Sequence, residues 1–242
     1  MAGLPPFLSW LALPLYAVEG TRVRARTPRF PPPPGPVMGR VGAPWQAGDD
    51  EIRLLVLGDS SAAAVGLDRQ EDGLAPQLAE ALAARSGRSV VWRAAGFNSA
   101  TSGQLRDHVV PALEPAPYTH VLLSVGFNDL KNFHSGRRFL REFGGLIYAV
   151  KARFPESRIF WSQLLDPAEV PGLTPRLAAI LRLRRRALDP LGACLCRERG
   201  AIAIPAMQGL PPEAFCSDGI HPSRQGFRGW AEHLAAHMMA DT

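Results

Sequence analysis

An alternation of short apolar runs with helical patterns constrains the fold most, and it extends from residue 52 almost to the end of the chain. Five runs rich in β-branched and aromatic residues predict buried strands. They are IRLLVLG (52–58), SVVWRAAG (89–96), HVLLSVG (120–126), RIFWSQLL (158–165) and AIAIPA (201–206). Apolar strands that alternate with helices are typical of a parallel sheet covered on both faces. The sequence therefore predicts a three-layer α/β/α fold with a five-stranded parallel sheet.

The helical patterns between the strands carry boundary signals. Apolar residues three or four positions apart recur over 74–82, 105–113, 139–154, 177–195 and 227–238. Gly87 predicts the end of the first helix. Thr174 followed by Pro175 predicts the start of the fourth. Pro190 predicts a kink or a break inside that fourth helix.

Composition divides the chain into two parts. Ten of the 23 prolines fall before residue 49, so we predict an N-terminal segment and linker over residues 1–48 and one folded domain over 49–242. Residues 1–48 hold five arginines and one acid, whereas the rest of the chain has 22 basic and 21 acidic residues. The domain itself is thus nearly neutral, and we expect no nucleic-acid partner. The run RLRRR (182–186) predicts a solvated helix face.

The N-terminal segment has an apolar stretch over residues 3–18. It is shorter than the roughly 20 residues of a spanning helix, and no side-chain positive charge precedes it, so a signal peptide is not favoured. The arginines follow the stretch, which would keep the domain cytoplasmic, on the inner face of the membrane, if the stretch inserts. A membrane-surface anchor through residues 3–29 and an apolar cover folded over the domain fit equally well. Residues 27–36 predict an extended polyproline II spacer.

Chemistry is expected where the predicted strands end, because ligands of such sheets bind beyond the carboxyl ends of the strands. The first strand runs into GDSS with Ser60, and the second into GFNSATS with Gly96. The third runs into GFND with Asn128, and SDGIHPS before the last helix holds Asp218 and His221. A serine attacks an acyl carbon when a histidine takes its proton, and a carboxylate orients that histidine. The backbone N–H groups of Ser60 and Gly96 and the Asn128 amide are suited to stabilise an oxyanion.

These four blocks resemble those of the SGNH branch of the GDSL esterase/lipase family, in the same order over residues 52–240. The resemblance implies a flavodoxin-like fold and hydrolysis of esters. It also implies Ser60 as nucleophile, His221 as base and Asp218 as its partner, with oxyanion donors at Ser60, Gly96 and Asn128. One departure is Ser61, where the family pattern has leucine; the position within the block still favours Ser60 as the nucleophile.

We therefore predict a serine esterase that hydrolyses carboxylic esters through an acyl-enzyme intermediate, on short- to medium-chain acyl groups. Two alternatives stay open: an acyltransferase that uses the same triad, and a catalytically silent binding module on the same fold. An α/β-hydrolase is not favoured, because no serine lies in a Gly-x-Ser-x-Gly elbow.

The sequence indicates the substrate less clearly than it indicates the reaction. Phe127 and Leu130 are candidates for the wall of an acyl pocket, although both positions also suit core residues. Hydrophobic or membrane-derived esters fit an apolar leader. No cofactor is expected, and no spacing predicts a metal site. Histidines other than His221 are expected to be ordinary surface or half-buried residues: His108, His120, His134, His233 and His237. The oligomeric state cannot be read from the sequence.

Overall fold

A computed structural model describes residues 9–42 and 50–240 of the chain. Its centre is a six-stranded sheet with the order β1-β3-β2-β4-β5-β6. The strands are β1 (Met38–Val41), β2 (Ile52–Gly58), β3 (Val90–Gly96), β4 (His120–Ser124), β5 (Arg158–Ser162) and β6 (Ala201–Ile204). Strands β2 to β6 are parallel to one another, whereas β1 pairs antiparallel with β3.

The prediction of five strands was wrong by one, because β1 lies in the segment that was assigned to the linker. A four-residue strand is too short to give a periodic signal, and it follows a proline-rich stretch. Its Gly39 packs on the indole of Trp92, where an added Cβ would lie 2.9 Å from the ring. The predicted domain boundary near residue 49 and the first residues of the predicted apolar stretch, 3–8, lie outside the described residues.

Helices cover both faces of the sheet, which confirms the three layers. The helices are α1 (Leu13–Arg26), α2 (Leu74–Ser86), α3 (Ser102–Gln104), α4 (Phe127–Lys131), α5 (Gly136–Arg153), α6 (Pro175–Glu198) and α7 (Arg224–Ala240). Helices α2 and α7 pack with Leu54, Val56 and Leu122 on one face. Helices α5 and α6 pack with Leu55, Leu57 and neighbouring strand residues on the other.

The helix boundaries follow the sequence signals at most ends. Gly87 ends α2 in the left-handed conformation, with φ of +69°. The Thr174 hydroxyl accepts a hydrogen bond from the Leu177 N–H and caps α6. Helix α6 does not break at Pro190, because the residues buried on both sides of it hold one continuous helix against the core. The pattern over 105–113 forms π and 3₁₀ turns rather than a regular helix, and Pro111 supplies no N–H there.

Helix α1 packs against the domain through its inward side. The Tyr16 ring lies 4.3 Å from the Phe133 ring, and the Glu19 carboxylate accepts a hydrogen bond of 2.7 Å from the Thr174 hydroxyl. Behind it, the linker is irregular over 28–36, and the Pro34 carbonyl accepts a hydrogen bond from the Gln70 N–H. In the part of the chain that the structure describes, no helix is both long and apolar enough to cross a bilayer.

The prediction of a solvated face for the run 182–186 was wrong at Arg184. This side chain is 4% exposed, and its guanidinium lies between the rings of Trp10 and Phe133. It also donates a hydrogen bond of 2.6 Å to the His134 carbonyl. Aromatic faces and carbonyl oxygens can stabilise a buried guanidinium. Such partners lie elsewhere in the chain, so a run of arginines does not reveal them.

Candidate active site

Three loops start from one edge of the sheet because their strands end in register. Gly58 at the end of β2 lies opposite Gly96 of β3 and Ser124 of β4. Gly96 has a φ of +149°, and a Cβ at this position would overlap the Gly58 carbonyl oxygen. Only glycine therefore allows β3 to approach the serine corner this closely.

Of the two serines in the corner, only Ser60 has a free hydroxyl. Ser61 is buried, and its N–H and hydroxyl both donate to Asp59 Oδ1 over 3.1 Å. The Ser61 hydroxyl also lies 3.0 Å from that of Ser124. Ser60 is half-buried, and neither its hydroxyl nor its N–H forms a hydrogen bond within the described residues. The geometry thus favours Ser60 over Ser61 as a group that can meet a substrate.

The segment that follows Ser60 does not form a helix. It is instead a series of turns over residues 60–66. The Ala63 N–H binds the Asp59 carbonyl, whereas the Val65 N–H reaches back to Ser60. Ala64 has a φ of +50°, which stops a regular helix from continuing.

Asp218 and His221 form a hydrogen-bonded pair in the loop before α7. The distance from His221 Nδ1 to Asp218 Oδ2 is 2.6 Å, and Oδ1 accepts hydrogen bonds from the N–H groups of Ile220 and His221. Burial alone would raise the pKa of the Asp218 carboxyl, but these hydrogen bonds outweigh it and lower the pKa. Because the ionised carboxylate accepts from Nδ1, His221 Nε2 is left with its lone pair.

The serine corner and the histidine loop lie side by side. A Cβ at Gly66 would be 3.1 Å from His221 Cβ, and Cys216 Sγ lies 3.2 Å from the Gly66 carbonyl oxygen. The Asp59 carboxyl also interacts electrostatically with His221. Ser60 and His221 do not form a hydrogen bond in this structure, a bond that is commonly long in hydrolases without substrate.

Asn128 lies in α4, directly behind the corner. Its Nδ2 donates hydrogen bonds of 2.9 Å to Asp59 Oδ2 and 3.0 Å to the Ala100 carbonyl. Both amide hydrogens are therefore engaged in this structure. Asp59 is buried, and this burial raises the pKa of its carboxyl. No sequence pattern predicts this contact, because it joins residues that are 69 positions apart.

The two candidates for the acyl pocket differ in position. Leu130 is fully buried in the core, so it presents no surface to a substrate. Phe127 is half-buried and packs against the small apolar cluster of Val170, Ala214 and Phe215, next to the histidine loop. Phe97, which follows Gly96, is 37% exposed and was not singled out in the sequence. The sequence feature that could have identified Phe97 is a large apolar residue within a loop of small and polar residues.

Behind Asn128 lies a buried cluster that the sequence analysis missed. His134 was expected to be an ordinary surface or half-buried residue, but it is buried, and its Nδ1 lies 3.1 Å from Asp129 Oδ1 and 3.3 Å from Glu142 Oε2. Their ligand atoms lie within 4.8 Å of one another, so among the described residues these three could hold a metal ion. The Ser102 hydroxyl and N–H also donate to Asp129, and Arg138 pairs with Glu142. The spacing of 129, 134 and 142 matches no metal motif, which explains the missed signal.

The serine corner and the aspartate–histidine pair lie beyond the carboxyl ends of the strands in a three-layer α/β sheet, where ligands of such sheets bind. The model of the GDSL-like lipase/acylhydrolase family matches residues 56–228. The chain therefore belongs to this family. Membership of this family supports a hydrolase that acts on esters.

Solved structures of esterases and lipases share the fold. An esterase from Pseudoalteromonas sp. has a TM-score of 0.59 and 18% identity, over 78% of this chain and 99% of its own. An acetylxylan esterase from Geobacillus stearothermophilus has a TM-score of 0.56 and 16% identity, over 81% and 94%. A lipase from Streptomyces rimosus has a TM-score of 0.54 and 14% identity, over 76% and 98%. A sequence comparison with curated proteins finds no match.

Proposed function

We propose that the protein is a serine esterase in which Ser60 is the nucleophile, His221 the base and Asp218 the group that orients the base. One observation carries the proposal: Asp218 Oδ2 lies 2.6 Å from His221 Nδ1, in a loop that packs beside the serine corner. The same loop contacts Gly66 at the end of the serine corner. A side-chain rotation of Ser60 toward Nε2 would complete the triad.

The reaction uses each of these groups in turn. His221 Nε2 takes the proton of Ser60 as Oγ attacks the acyl carbon, and the Asp218 carboxylate stabilises the imidazolium that forms. The tetrahedral intermediate then collapses, and His221 gives its proton to the departing alcohol. Water, activated by the same histidine, hydrolyses the ester bond to Ser60 and releases the acid.

The oxyanion would be stabilised by N–H groups of Ser60 and Gly96 and by the Asn128 amide. The Ser60 N–H is free for this role. Asn128 must release one of its two present acceptors, Asp59 or Ala100, to point an N–H at the oxyanion. A donor of this kind is worth about 3–4 kcal/mol in the transition state.

Short- to medium-chain acyl esters are the proposed substrates. Phe127, one position before Asn128, and the exposed Phe97, one position after Gly96, are the side chains that we propose to contact a short acyl group. Leu130 is not part of this surface, because the core encloses it. Hydrolysis of p-nitrophenyl acetate and butyrate is therefore expected, with turnover falling as the acyl chain lengthens to C16.

The adjacent serines provide a matched pair of variants. Ser60→Ala should lower kcat for p-nitrophenyl butyrate by about 10⁴-fold or more, because no other group can form the acyl-enzyme. Ser61→Ala removes a hydroxyl that is tied to Asp59 and Ser124 and should retain activity within about tenfold. Labelling with a phosphonate ester, followed by mass spectrometry, would identify the serine that reacts.

Equal, background-level turnover by the wild type and Ser60→Ala would contradict the proposal and favour a silent binding module. Loss of activity in Ser61→Ala with retention in Ser60→Ala would contradict the choice of nucleophile. Ester products formed with added alcohols, at the expense of free acid, would favour the acyltransferase. Circular dichroism of each variant separates loss of chemistry from loss of fold.

A further inference from the structure

The outward side of the N-terminal helix is an exposed apolar surface. Leu11, in the turn before α1, is 77% exposed, and Leu13, Leu15 and Val18 are 41%, 42% and 49% exposed. Trp10, beside them, is 46% exposed. We call Leu11, Leu15 and Val18, which are four and three positions apart and so share one face, the apolar surface of α1. Large apolar side chains clustered in this way mark a contact surface in a folded protein.

The inward side of the same helix is firmly attached to the domain. The Tyr16 hydroxyl donates to the Lys131 carbonyl, and Glu19 is buried against Thr174 and Arg22. The Arg184 guanidinium lies over the ring of Trp10 at 4.8 Å from its centroid. Because the inward side of α1 already binds the domain, the apolar surface of α1 faces outward and does not pack on this domain.

Positive charge flanks the apolar surface of α1. Arg22, Arg24, Arg26 and Arg29 are all exposed in the last turns of α1 and just after it. Only Arg22 pairs with an acid, Glu19, among the described side chains. Exposed leucines beside unpaired arginines complement a bilayer with anionic headgroups. The leucines can contact the acyl chains, and the arginines can bind the headgroup phosphates.

The inward side of α1 contacts α4, the helix that carries Asn128. Tyr16 binds the carbonyl of Lys131, three positions after Asn128. The Lys131 ammonium interacts electrostatically with both Asp59 in the serine corner and Arg24 in α1.

We infer that α1 is a membrane-docking element that lies in the headgroup region of an anionic bilayer, without crossing it. The apolar surface of α1 enters the interface, and Arg24, Arg26 and Arg29 bind headgroup phosphates. The fold itself holds the docking helix, so binding requires no folding step of α1. The inference concerns binding, and it stands whether or not the protein hydrolyses esters.

Vesicle flotation with the full chain tests the inference. Wild-type protein should float with vesicles of equal parts phosphatidylglycerol and phosphatidylcholine, and should bind pure phosphatidylcholine more weakly. The triple variant Leu11→Gln, Leu15→Gln, Val18→Gln should lower the partition coefficient on both vesicles by about tenfold or more. The double variant Arg24→Gln, Arg26→Gln should lower it by about tenfold on the anionic vesicles only, as should high salt.

Matched controls lie elsewhere on the surface. Tyr148→Gln removes an apolar side chain that is 72% exposed on α5, and Arg85→Gln removes an exposed arginine of α2. Both should float like the wild type. Failure of the wild type to bind either vesicle, or binding by the triple variant equal to that of the wild type, would overturn the inference. A lipid-free dimer that the triple variant converts to a monomer would do so too, because a second copy of the chain would then cover the surface.

Discussion

At the scale of single residues, Asp59 organises the serine corner. One of its oxygens receives the N–H and hydroxyl of Ser61, and the other receives the amide of Asn128. It is buried, and the pKa of its carboxyl is raised for that reason. One side chain thus fixes both the turn that carries Ser60 and the helix that carries a proposed oxyanion donor. We call it a positioning residue, because it does not contact the reacting atoms.

Asp59→Asn should therefore impair activity more than the loss of a single hydrogen bond does. An asparagine offers one acceptor oxygen, so either Ser61 or Asn128 loses its partner in a buried site. We expect kcat for p-nitrophenyl butyrate to fall more than in Ser124→Ala, and the free energy of unfolding in urea to fall by about 1–3 kcal/mol. Ser124→Ala removes only the contact with the Ser61 hydroxyl. Equal kcat values for these two variants would contradict a positioning role for Asp59.

At the scale of elements, the attachment of α1 depends on Arg184 of α6. Its guanidinium lies 4.8 Å from the Trp10 ring centroid and 3.9 Å from that of Phe133, and it donates to Ser9 and His134. A planar, multidentate group is required to stack on two rings while it binds two oxygens. The N-terminal helix is thus held to the domain through a residue from the middle of the chain.

Arg184→Lys should loosen α1 while the sheet remains intact. A lysine keeps the charge but cannot stack between the two rings, so amides over 13–26 should exchange with deuterium faster. Hydrogen–deuterium exchange with mass spectrometry measures this, with β4 and β5 peptides as the internal reference. Arg186→Lys, on an exposed position of the same helix, is the control. Unchanged exchange over 13–26 in Arg184→Lys would contradict the role of Arg184.

At the scale of the whole molecule, a buried histidine couples stability to pH. His120 opens β4, is 5% exposed, and forms a contact of 2.8 Å between Nδ1 and the Thr119 hydroxyl. Burial, with Arg158 nearby, lowers the pKa of His120 from 6.5 to about 4. Between pH 6.5 and about pH 4, His120 therefore binds a proton in the unfolded chain but not in the folded chain. Stability from this group is complete above pH 6.5 and is lost as the pH falls toward 4.

Acid should accordingly destabilise the protein by roughly 3 kcal/mol through His120 alone. Urea unfolding at a series of pH values between 7 and 4 measures the loss. In His120→Asn the part of the slope that is due to this histidine should disappear, since asparagine keeps a polar atom near Thr119 and does not titrate. His108→Asn, at an exposed histidine, should keep the wild-type slope. A wild-type slope in His120→Asn would show that other groups control the acid response.

Sequence patterns predicted the sheet well because its five parallel strands are almost wholly apolar. Strands β2 and β3 begin and end within one residue of the predicted bounds. Strand β1 was not predicted, because its four half-exposed residues show no run of apolar side chains. The Asp218–His221 contact was within reach of the sequence because its residues are three positions apart. The bond between Asp59 and Asn128 was not, because a tertiary contact over 69 positions leaves no local trace.

The pairing of β1 with β3 has a practical consequence for shortened forms of the protein. A polypeptide that begins at residue 49 would lose β1, and β3 would present a row of unsatisfied N–H and C=O groups. It would also lose α1, which leaves the stacking faces of Phe133 and Arg184 in water. We expect such a polypeptide to self-associate through the exposed edge of β3. A start between α1 and β1 would remove the helix alone and keep that margin covered.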